Sequence, residues 1–305
     1  MSILKRRKFK TQLGYYSLAI FPIAYLVIFN YLPMFGVVMA FMDFKPTKGF
    51  FGSRWVGFQN FTYFFKSNDA MRIIRNTLLY NLAFLFIIGL FIGILIAVLL
   101  YEIRSRICNK IYQTSMLLTT FLSWVVASAV LLIFLNPDSG IINNIRVSLG
   151  LERISWYTEA KYWPIILTIC QIWKDAGMAS IYFYAAILDI DYSLFESASL
   201  DGASRIKQIW YITLPHMKQM ACIVIILRLG QIMSSSFDSF YLLPLNQERL
   251  YPTTDVISTY LYRGLSSGAY SSTAAVGLFQ SVVGLALVLI SNAVIRKISP
   301  DDALF

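Results

Sequence analysis

Six apolar stretches, each long enough to cross a lipid bilayer as a helix, set what this chain can fold into. They run roughly over 13–41, 77–100, 112–135, 162–188, 217–243 and 273–295. A hydrocarbon core about 30 Å thick needs about 20 apolar residues of helix, so the pattern predicts an all-α integral membrane protein with six transmembrane helices. Composition points the same way. Hydrophobic residues make up 57% of the 305 and charged residues only 14%, against about 25% charged in an ordinary soluble domain.

The formal charge of +10 does not imply nucleic acid. No recognition motif accompanies it, and basic residues at helix ends face anionic lipid headgroups. The cluster Lys5-Arg6-Arg7-Lys8-Phe9-Lys10 opens a basic segment, 1–12, ahead of the first span. The apolar run that follows is too long for a signal peptide and lacks a small-residue cleavage site, so it reads as a retained first helix. Pro22 and Pro33 predict a kink in that helix or an early end to it. Gly89 and Gly93 form a GxxxG pair in the second span, which allows close helix packing.

Orientation rests on that basic cluster. With the N-terminus inside, thirteen Lys and Arg fall inside and eleven outside, and Lys174 and Arg228, within spans, complete the total of 26. The positive-inside bias is therefore weak, and the dense cluster beside the first helix decides it. Six spans then put both termini in the cytoplasm, the loop 42–76 outside as a small cap, and the loop 189–216 inside.

The inner loop carries the stretch Glu196-Ser-Ala-Ser-Leu-Asp-Gly-Ala-Ser-Arg-Ile-Lys-Gln-Ile-Trp-Tyr-Ile-Thr-Leu-Pro215. Ser193-Leu-Phe-Glu196 fits a capping box, which predicts a short helix starting at Leu194. Asp201-Gly202 interrupts it, since glycine adopts backbone conformations that other residues resist. Asp201 is then expected to cap a second helix with Ile206, Ile209, Trp210 and Thr213 on one face. Pro215 suits the first turn of the next span. The expected product is a helix–bend–helix knob in the cytoplasm; taken alone, it is equally an interfacial helix lying on lipid.

The spacing Glu196-Ser197-Ala198, three residues, Gly202, nine residues, Ile212-Thr213-Leu214-Pro215 resembles the Glu-Ala-Ala loop of ATP-binding-cassette (ABC) importer permeases. Ser197 replaces the middle alanine with another small residue. Trp55-Val-Gly-Phe-Gln-Asn-Phe61 and Arg75-Asn76-Thr77-Leu78 resemble the first external loop of the sugar-importing, maltose-type (type I) permeases. Residues 237–243 (FDSFYLL), 254–265 (TDVISTYLYRGL) and 270–297 are similar to the subgroup for polysaccharide and complex oligosaccharide uptake. The resemblance implies one permease domain over 1–305 in a bacterial cell membrane. It also implies a second permease, expected to make a heterodimer, two ATPase subunits and an extracytoplasmic sugar-binding protein. Glu196, Ser197, Ala198, Asp201, Gly202, Ala203, Ile212, Leu214 and Pro215 would form the contact with the ATPase.

No cofactor is expected on this chain. It has no G-x-x-x-x-G-K-[ST] phosphate loop, so ATP and Mg would be used by the partner ATPases. Cys108, Cys170 and Cys222 lie far apart, and His216 is the one histidine, which supports neither a metal cluster nor a nucleophile–histidine–acid arrangement. The chain is accordingly read as a transport subunit and not an enzyme.

Charges inside spans remain to be explained. Lys174 and Asp175 interrupt the fourth span, Arg228 the fifth, and Asp238 lies near the fifth span's outer end. Each costs about 2.5–3.5 kcal/mol at mid-bilayer on insertion scales, so such residues face protein or water. Gln171 lies one turn before Asp175. One reading makes these residues interhelical glue, for example Asp175 with Arg228. The other places Trp173, Lys174, Asp175, Tyr182, Asp238 and Tyr241 along a polar path for sugar, with Tyr184 and Phe237 nearby. A permease for a non-sugar solute, an ATP-independent channel and a membrane-embedded enzyme are the rival functions.

Overall fold

The computed structural model describes residues 18–298; the basic segment 1–12 and the opening of the first expected span lie outside the described residues. The fold is almost wholly helical, and among the described residues the strands form one two-residue pair. The chain gathers into two compact units. One takes the residues up to Phe65 together with Gly264–Leu278; the other takes Lys66–Arg263 and the residues from Phe279 onward.

In the first unit, helix α1 runs over Leu18–Phe41. Pro33 does not end it. Proline lacks an N–H and its ring crowds the carbonyl one turn back, and the helix answers by widening to a π turn over Val27–Tyr31 and tightening to a 3-10 stretch over Leu32–Phe41. Strand β1 (Met42–Asp43) then pairs antiparallel with β2 (Arg54–Trp55). Helix α2 (Gln59–Lys66) follows. The buried Asn60 donates to the carbonyls of Ala40 and Met42 at 2.8 and 3.0 Å. Phe41 meets the rings of Trp55, Phe58 and Phe61 at 5.8, 5.5 and 5.6 Å, so the aromatic residues of the expected external loop fold back on the end of α1.

In the second unit, α3 is one helix of 35 residues, Asn68–Glu102. Ser67 starts it, its hydroxyl accepting from Ala70 N. At 1.5 Å per residue it is about 50 Å long, well over a bilayer core, and it begins nine residues before the expected boundary at 77. Asn76 and Thr77 therefore lie within a helix. Helix α7 (Trp163–Leu188) packs along α3. A Cβ at Gly93 would lie 3.2 Å from the Ala179 carbonyl and the Phe183 ring, so the glycine permits that approach.

Two expected spans are broken. The stretch 112–135 is two helices, α4 (Arg106–Phe121) and α5 (Trp124–Leu135), set at 96°. Leu122 and Ser123 are extended, and the Ser123 hydroxyl caps α5 by accepting from Val126 N at 3.3 Å. The fifth stretch does not continue to 243. Helix α10 covers Lys218–Gly230 only. Thirteen residues give about 20 Å of helix, short of the bilayer core. Gln231 and Ser234-Ser235-Ser236 follow; short hydroxyl side chains compete with the backbone for hydrogen bonds, and the helix gives way to turns before α11 (Phe237–Leu242). Helices α12 (Ile257–Ser266) and α13 (Tyr270–Ile298) complete the chain.

By length and apolarity, three described helices can cross a membrane, or five if each bent pair counts as one span. Helix α7 has 26 residues, long enough to cross, but its middle carries Gln171, Lys174 and Asp175.

Candidate functional site

The two breaks meet a polar cavity in the second unit. It holds about 350 Å³ and is lined by Asn81, Phe84, Leu85, Ile88, Trp124, Gln171, Asp175, Arg228, Gln231 and Ser234–Ser236. This volume is within the range of small-molecule pockets. Helix α3 presents an apolar wall, Phe84, Leu85 and Ile88. The opposing wall is the unwound segment after α10. Asn81 fixes that segment, donating to the Ile232 carbonyl at 2.8 Å and to Ser235 Oγ at 3.1 Å. Irregular backbone within a membrane protein is tolerated where it is buried in protein or lines a polar cavity, and here it lines such a cavity.

Asp175, on α7, is the one sequence-selected path candidate that lines this cavity. Gln171 Nε2 donates to its Oδ2 at 2.8 Å, the pairing that a one-turn spacing allows. Asp175 and Arg228 both face the cavity, yet they form no ion pair among the described residues, so the suggested interhelical bridge is not made.

Lys174 lies elsewhere. It is 8% exposed, and its Nζ donates to the carbonyls of Thr119 and Thr120 at 3.2 and 3.0 Å and to that of Leu122. These carbonyls end α4, where the last turn of a helix leaves acceptors unpaired. The ammonium also sits 5.5 Å from the Trp124 ring centre. Lys174 thus holds the α4–α5 break, and Trp124, the first residue after it, reaches the cavity.

Trp173 and Tyr182 are exposed side chains of α7 and do not line the cavity. Asp238 is exposed in the first turn of α11. Phe237 and Tyr241 stack at 4.9 Å, and Tyr262 closes the group at 4.8 and 5.0 Å from them.

A second polar centre escaped sequence reading. Asp255, 1% exposed, receives Arg263 at 2.7 Å, Arg72 at 3.0 Å and Thr259 at 2.8 Å. Asn76 donates to the Asp255 carbonyl, Tyr80 to that of Thr253 and Ile257 N to Thr77 Oγ1, at 3.0, 2.7 and 2.9 Å. These bonds lash the segment 252–259 to the first half of α3. The local signal was present: Asp255 and Thr259 stand one turn apart at the start of a helix. The arginines arrive from 183 and 8 residues away.

The polar segment 189–216 is two helices, with caps other than those expected. Helix α8 covers Tyr192–Leu200, and its N-cap is Asp191, whose Oδ1 accepts from Ser193 N at 2.9 Å. That bond holds the Asp191 carboxyl below its ordinary value. Ser193 and Glu196 lie inside the helix, so the capping box is absent. Gly202 has φ +75°; Gly202 N donates to Ser199 O at 3.1 Å and Ala203 N to Ala198 O at 2.9 Å, a Schellman ending with Asp201 as the C-cap. Ser204, not Asp201, caps the next helix, α9 (Arg205–His216), accepting from Lys207 N.

Gln208, buried, ties the two helices by donating to Ser199 Oγ and Ala203 O at 2.9 and 3.2 Å. Phe195 is buried beside Tyr101, with ring centres 5.8 Å apart. Helix α9 contains a π turn over Ile209–Thr213, which splits the expected stripe: Ile206 and Trp210 face outward, while Thr213 is buried. Pro215 lies at the end of α9, and α10 leaves at 50° to it. Glu196, Ser197, Asp201, Gly202 and Pro215 are exposed, and Ala198, Ala203, Ile212 and Leu214 half-buried.

Residues 89–300 match the family described as binding-protein-dependent transport system inner membrane component. Protein LplB of Bacillus subtilis strain 168 is 37% identical over 303 residues, covering 99% of this chain and 92% of that protein. The polygalacturonan/rhamnogalacturonan transport system permease protein YteP of the same organism is 35% identical, with 91% and 86% covered. Among solved structures, a bacterial ABC transporter involved in the import of the acidic polysaccharide alginate matches with a TM-score of 0.86 and 36% identity, covering 96% of this chain and 98% of that one. The alginate transporter in complex with alginate pentasaccharide-bound periplasmic protein matches with a TM-score of 0.85 and 35% identity.

Proposed function

The chain belongs to the binding-protein-dependent transport system inner membrane component family, and on that premise we propose that it is the permease subunit of an ABC importer for an oligosaccharide or polysaccharide fragment. The observation that carries the sugar reading is the polar cavity at the two helix breaks. It combines carboxylate, amide, hydroxyl and guanidinium groups with the flat faces of Phe84 and Trp124, and sugars are bound through hydroxyl hydrogen bonds and aromatic faces.

In this reading a binding protein delivers sugar from outside, and a second permease completes the path. Two ATPase subunits, which use ATP and Mg, drive the alternation of access. The segment 189–216 docks on an ATPase, presenting Glu196, Ser197 and Asp201 together with the exposed apolar Leu200, Ile206 and Trp210. Both termini lie in the cytoplasm, and the segment 42–76, whose last residues open α3, faces out as part of one permease domain. Asp175, Gln171 and Arg228 contact the sugar; Lys174 positions the wall.

The test is uptake by proteoliposomes holding the whole complex, with radiolabelled oligosaccharides and ATP enclosed. Asp175→Asn should lower uptake at least about tenfold, the loss of one strong hydrogen bond to a charged group, while ATPase copurification stays normal. Uptake that proceeds without ATP would replace an importer with a channel.

A further inference from the structure

The run Arg75-Asn76-Thr77 divides between two surroundings. Asn76 and Thr77 are buried and tie α3 to the segment 252–259. Arg75 turns outward. Its Nη2 donates to Asn76 Oδ1 at 3.2 Å and to the Pro252 carbonyl at 3.4 Å, and among the described residues no carboxylate pairs with it. It lines one end of an open groove of about 450 Å³ between α3 and α7, the end nearest the start of both helices. Leu79 and Ala83 continue the groove on α3, Pro164 and Thr168 on α7.

The other polar atoms of the groove are already committed within the protein. Tyr80 Oη donates to the Thr253 carbonyl at 2.7 Å, and Asn76 Nδ2 to those of Pro252 and Asp255 at 3.2 and 3.0 Å. Thr168 Oγ1 donates to the Pro164 carbonyl at 2.7 Å, and Thr253 Oγ1 to that of Ala160 at 2.8 Å. What remains is an apolar trough with one charged group at its end, which suits a chain of methylenes and not a hydroxyl-rich ring. The trough also opens away from the polar cavity. Leu79 and Ala83 each stand two residues from Asn81, which lines that cavity, and two residues turn a helix by about 200°. The flank beside the trough is apolar: Met71, Leu79 and Phe86 on α3 and Ile165 and Ile169 on α7 are each more than half exposed. In the proposed assembly the partner permease completes the path on the cavity side, so this flank is left to lipid. Tyr162 and Trp163 stand at the start of α7, with the Trp156 ring 5.2 Å from that of Tyr162. Such aromatic groups gather at the water–lipid interface, which sets Arg75 at headgroup depth and Ala83 about 12 Å further along its helix.

We propose that this groove holds an anionic phospholipid, with its phosphate on Arg75 and one acyl chain along Leu79, Ala83 and Thr168. The arginine fork matches phosphate oxygens bidentately, and basic pockets between membrane helices take anionic headgroups. A lipid without a cation of its own leaves the guanidinium fully paired, whereas a choline headgroup brings a competing ammonium. This site goes beyond the proposed function, which enters only in placing the partner permease on the other flank.

The test uses the purified complex of this chain, its partner permease and the ATPase pair in phosphatidylcholine nanodiscs. A small fraction of the lipid is either phosphatidylglycerol or phosphatidylcholine carrying a photoactivatable diazirine in one acyl chain, and adducts are mapped by peptide mass spectrometry. The phosphatidylglycerol probe should label 79–83 and 164–168 about fivefold more than the phosphatidylcholine probe, the scale of one basic residue near a charged surface. Arg75→Gln should abolish that preference and leave labelling by the phosphatidylcholine probe unchanged. Ala83→Phe, which fills the trough and keeps the charge, should lower labelling by both probes, with assembly of each variant checked by ATPase copurification. Equal labelling by the two probes in the unaltered complex would overturn the assignment, as would a preference that survives Arg75→Gln. Absence of adducts at 79–83 from either probe would overturn it too, and would make the groove a contact for the partner permease. None of these readouts needs sugar or ATP, so this site and the importer reading fail separately.

Discussion

Lys174 and Asp175 are neighbours on α7, yet successive helical residues point about 100° apart, and that rotation separates a structural cation from a cavity anion. Lys174→Met should leave the end of α4 without its donor and Trp124 without its cation. Hydrogen bonds to charged groups are worth about 1.5–3 kcal/mol, so the expected loss is of that order, read as a lower melting temperature of the purified complex. Lys174→Arg should recover part of it, and a melting temperature unchanged by Lys174→Met would rule out the holding role. Asp255 poses a sharper case. Both Arg72 and Arg263 converge on this buried carboxylate, and removing one partner of a buried pair costs about 3–5 kcal/mol. Asp255→Asn should therefore reduce the amount of assembled permease in membranes far more than Asp238→Asn, whose site is exposed in α11. Equal abundance of the two variants would mean that the Asp255 network adds little to folding.

The helices show why some of this was legible in sequence and some was not. Long apolar runs announced α1, α3 and α13 because length alone decides whether a helix can span lipid. The break at 122–123 was hidden, since the ammonium that ends α4 comes from Lys174, about fifty positions along the chain. The end of α10 was marked by Gly230, Gln231 and three serines, but the apolar residues on either side masked it. In the segment 189–216 the bend was legible and the caps were not. Ser193 and Glu196 have capping-box spacing, but Asp191, two positions earlier, takes the role. Glu196→Ala should leave α8 folded and weaken only the ATPase contact, whereas Gly202→Val forces a β-branched residue to φ +75°, a strain of about 1–3 kcal/mol. A Cβ there would meet nothing within 4 Å, so the cost is backbone strain and not collision. Gly202→Val should detach the ATPase or uncouple hydrolysis from uptake while the permease remains inserted. Copurification and uptake at normal levels would show that the segment merely lies on lipid. Acidification acts on the same helix: the Asp191 carboxyl is held low in the folded state by the Ser193 N–H, so its capping contribution is present above the ordinary aspartate range and is lost as pH falls through the depressed value.

Which way the molecule threads the membrane is the property that composition constrains least, with thirteen basic residues on one side against eleven on the other. We propose inward termini from the Lys5–Lys10 cluster, because charge next to the first helix usually sets orientation. The segment 189–216 supports the same orientation, since its exposed apolar side chains need a protein or lipid surface to cover them. Both termini share a side for any even number of crossings; the number is six when α7 is counted and each bent pair makes one crossing. Labelling can decide this if the positions are chosen from the structure. Asn60 is a poor choice, since its side chain is buried and bonded to Ala40 and Met42, and a cysteine there would report folding and not sidedness. Phe51 is fully exposed and Leu200 is 89% exposed. In a background with Cys108, Cys170 and Cys222 replaced, a membrane-impermeant maleimide applied to intact cells should label a cysteine at 51 and spare one at 200, and both should react once the cells are broken. The reverse order would invert the topology and place 189–216 out of reach of an ATPase. Labelling of both positions from outside would require an even number of crossings between them, as when the bent pair α4–α5 enters and leaves on the same face.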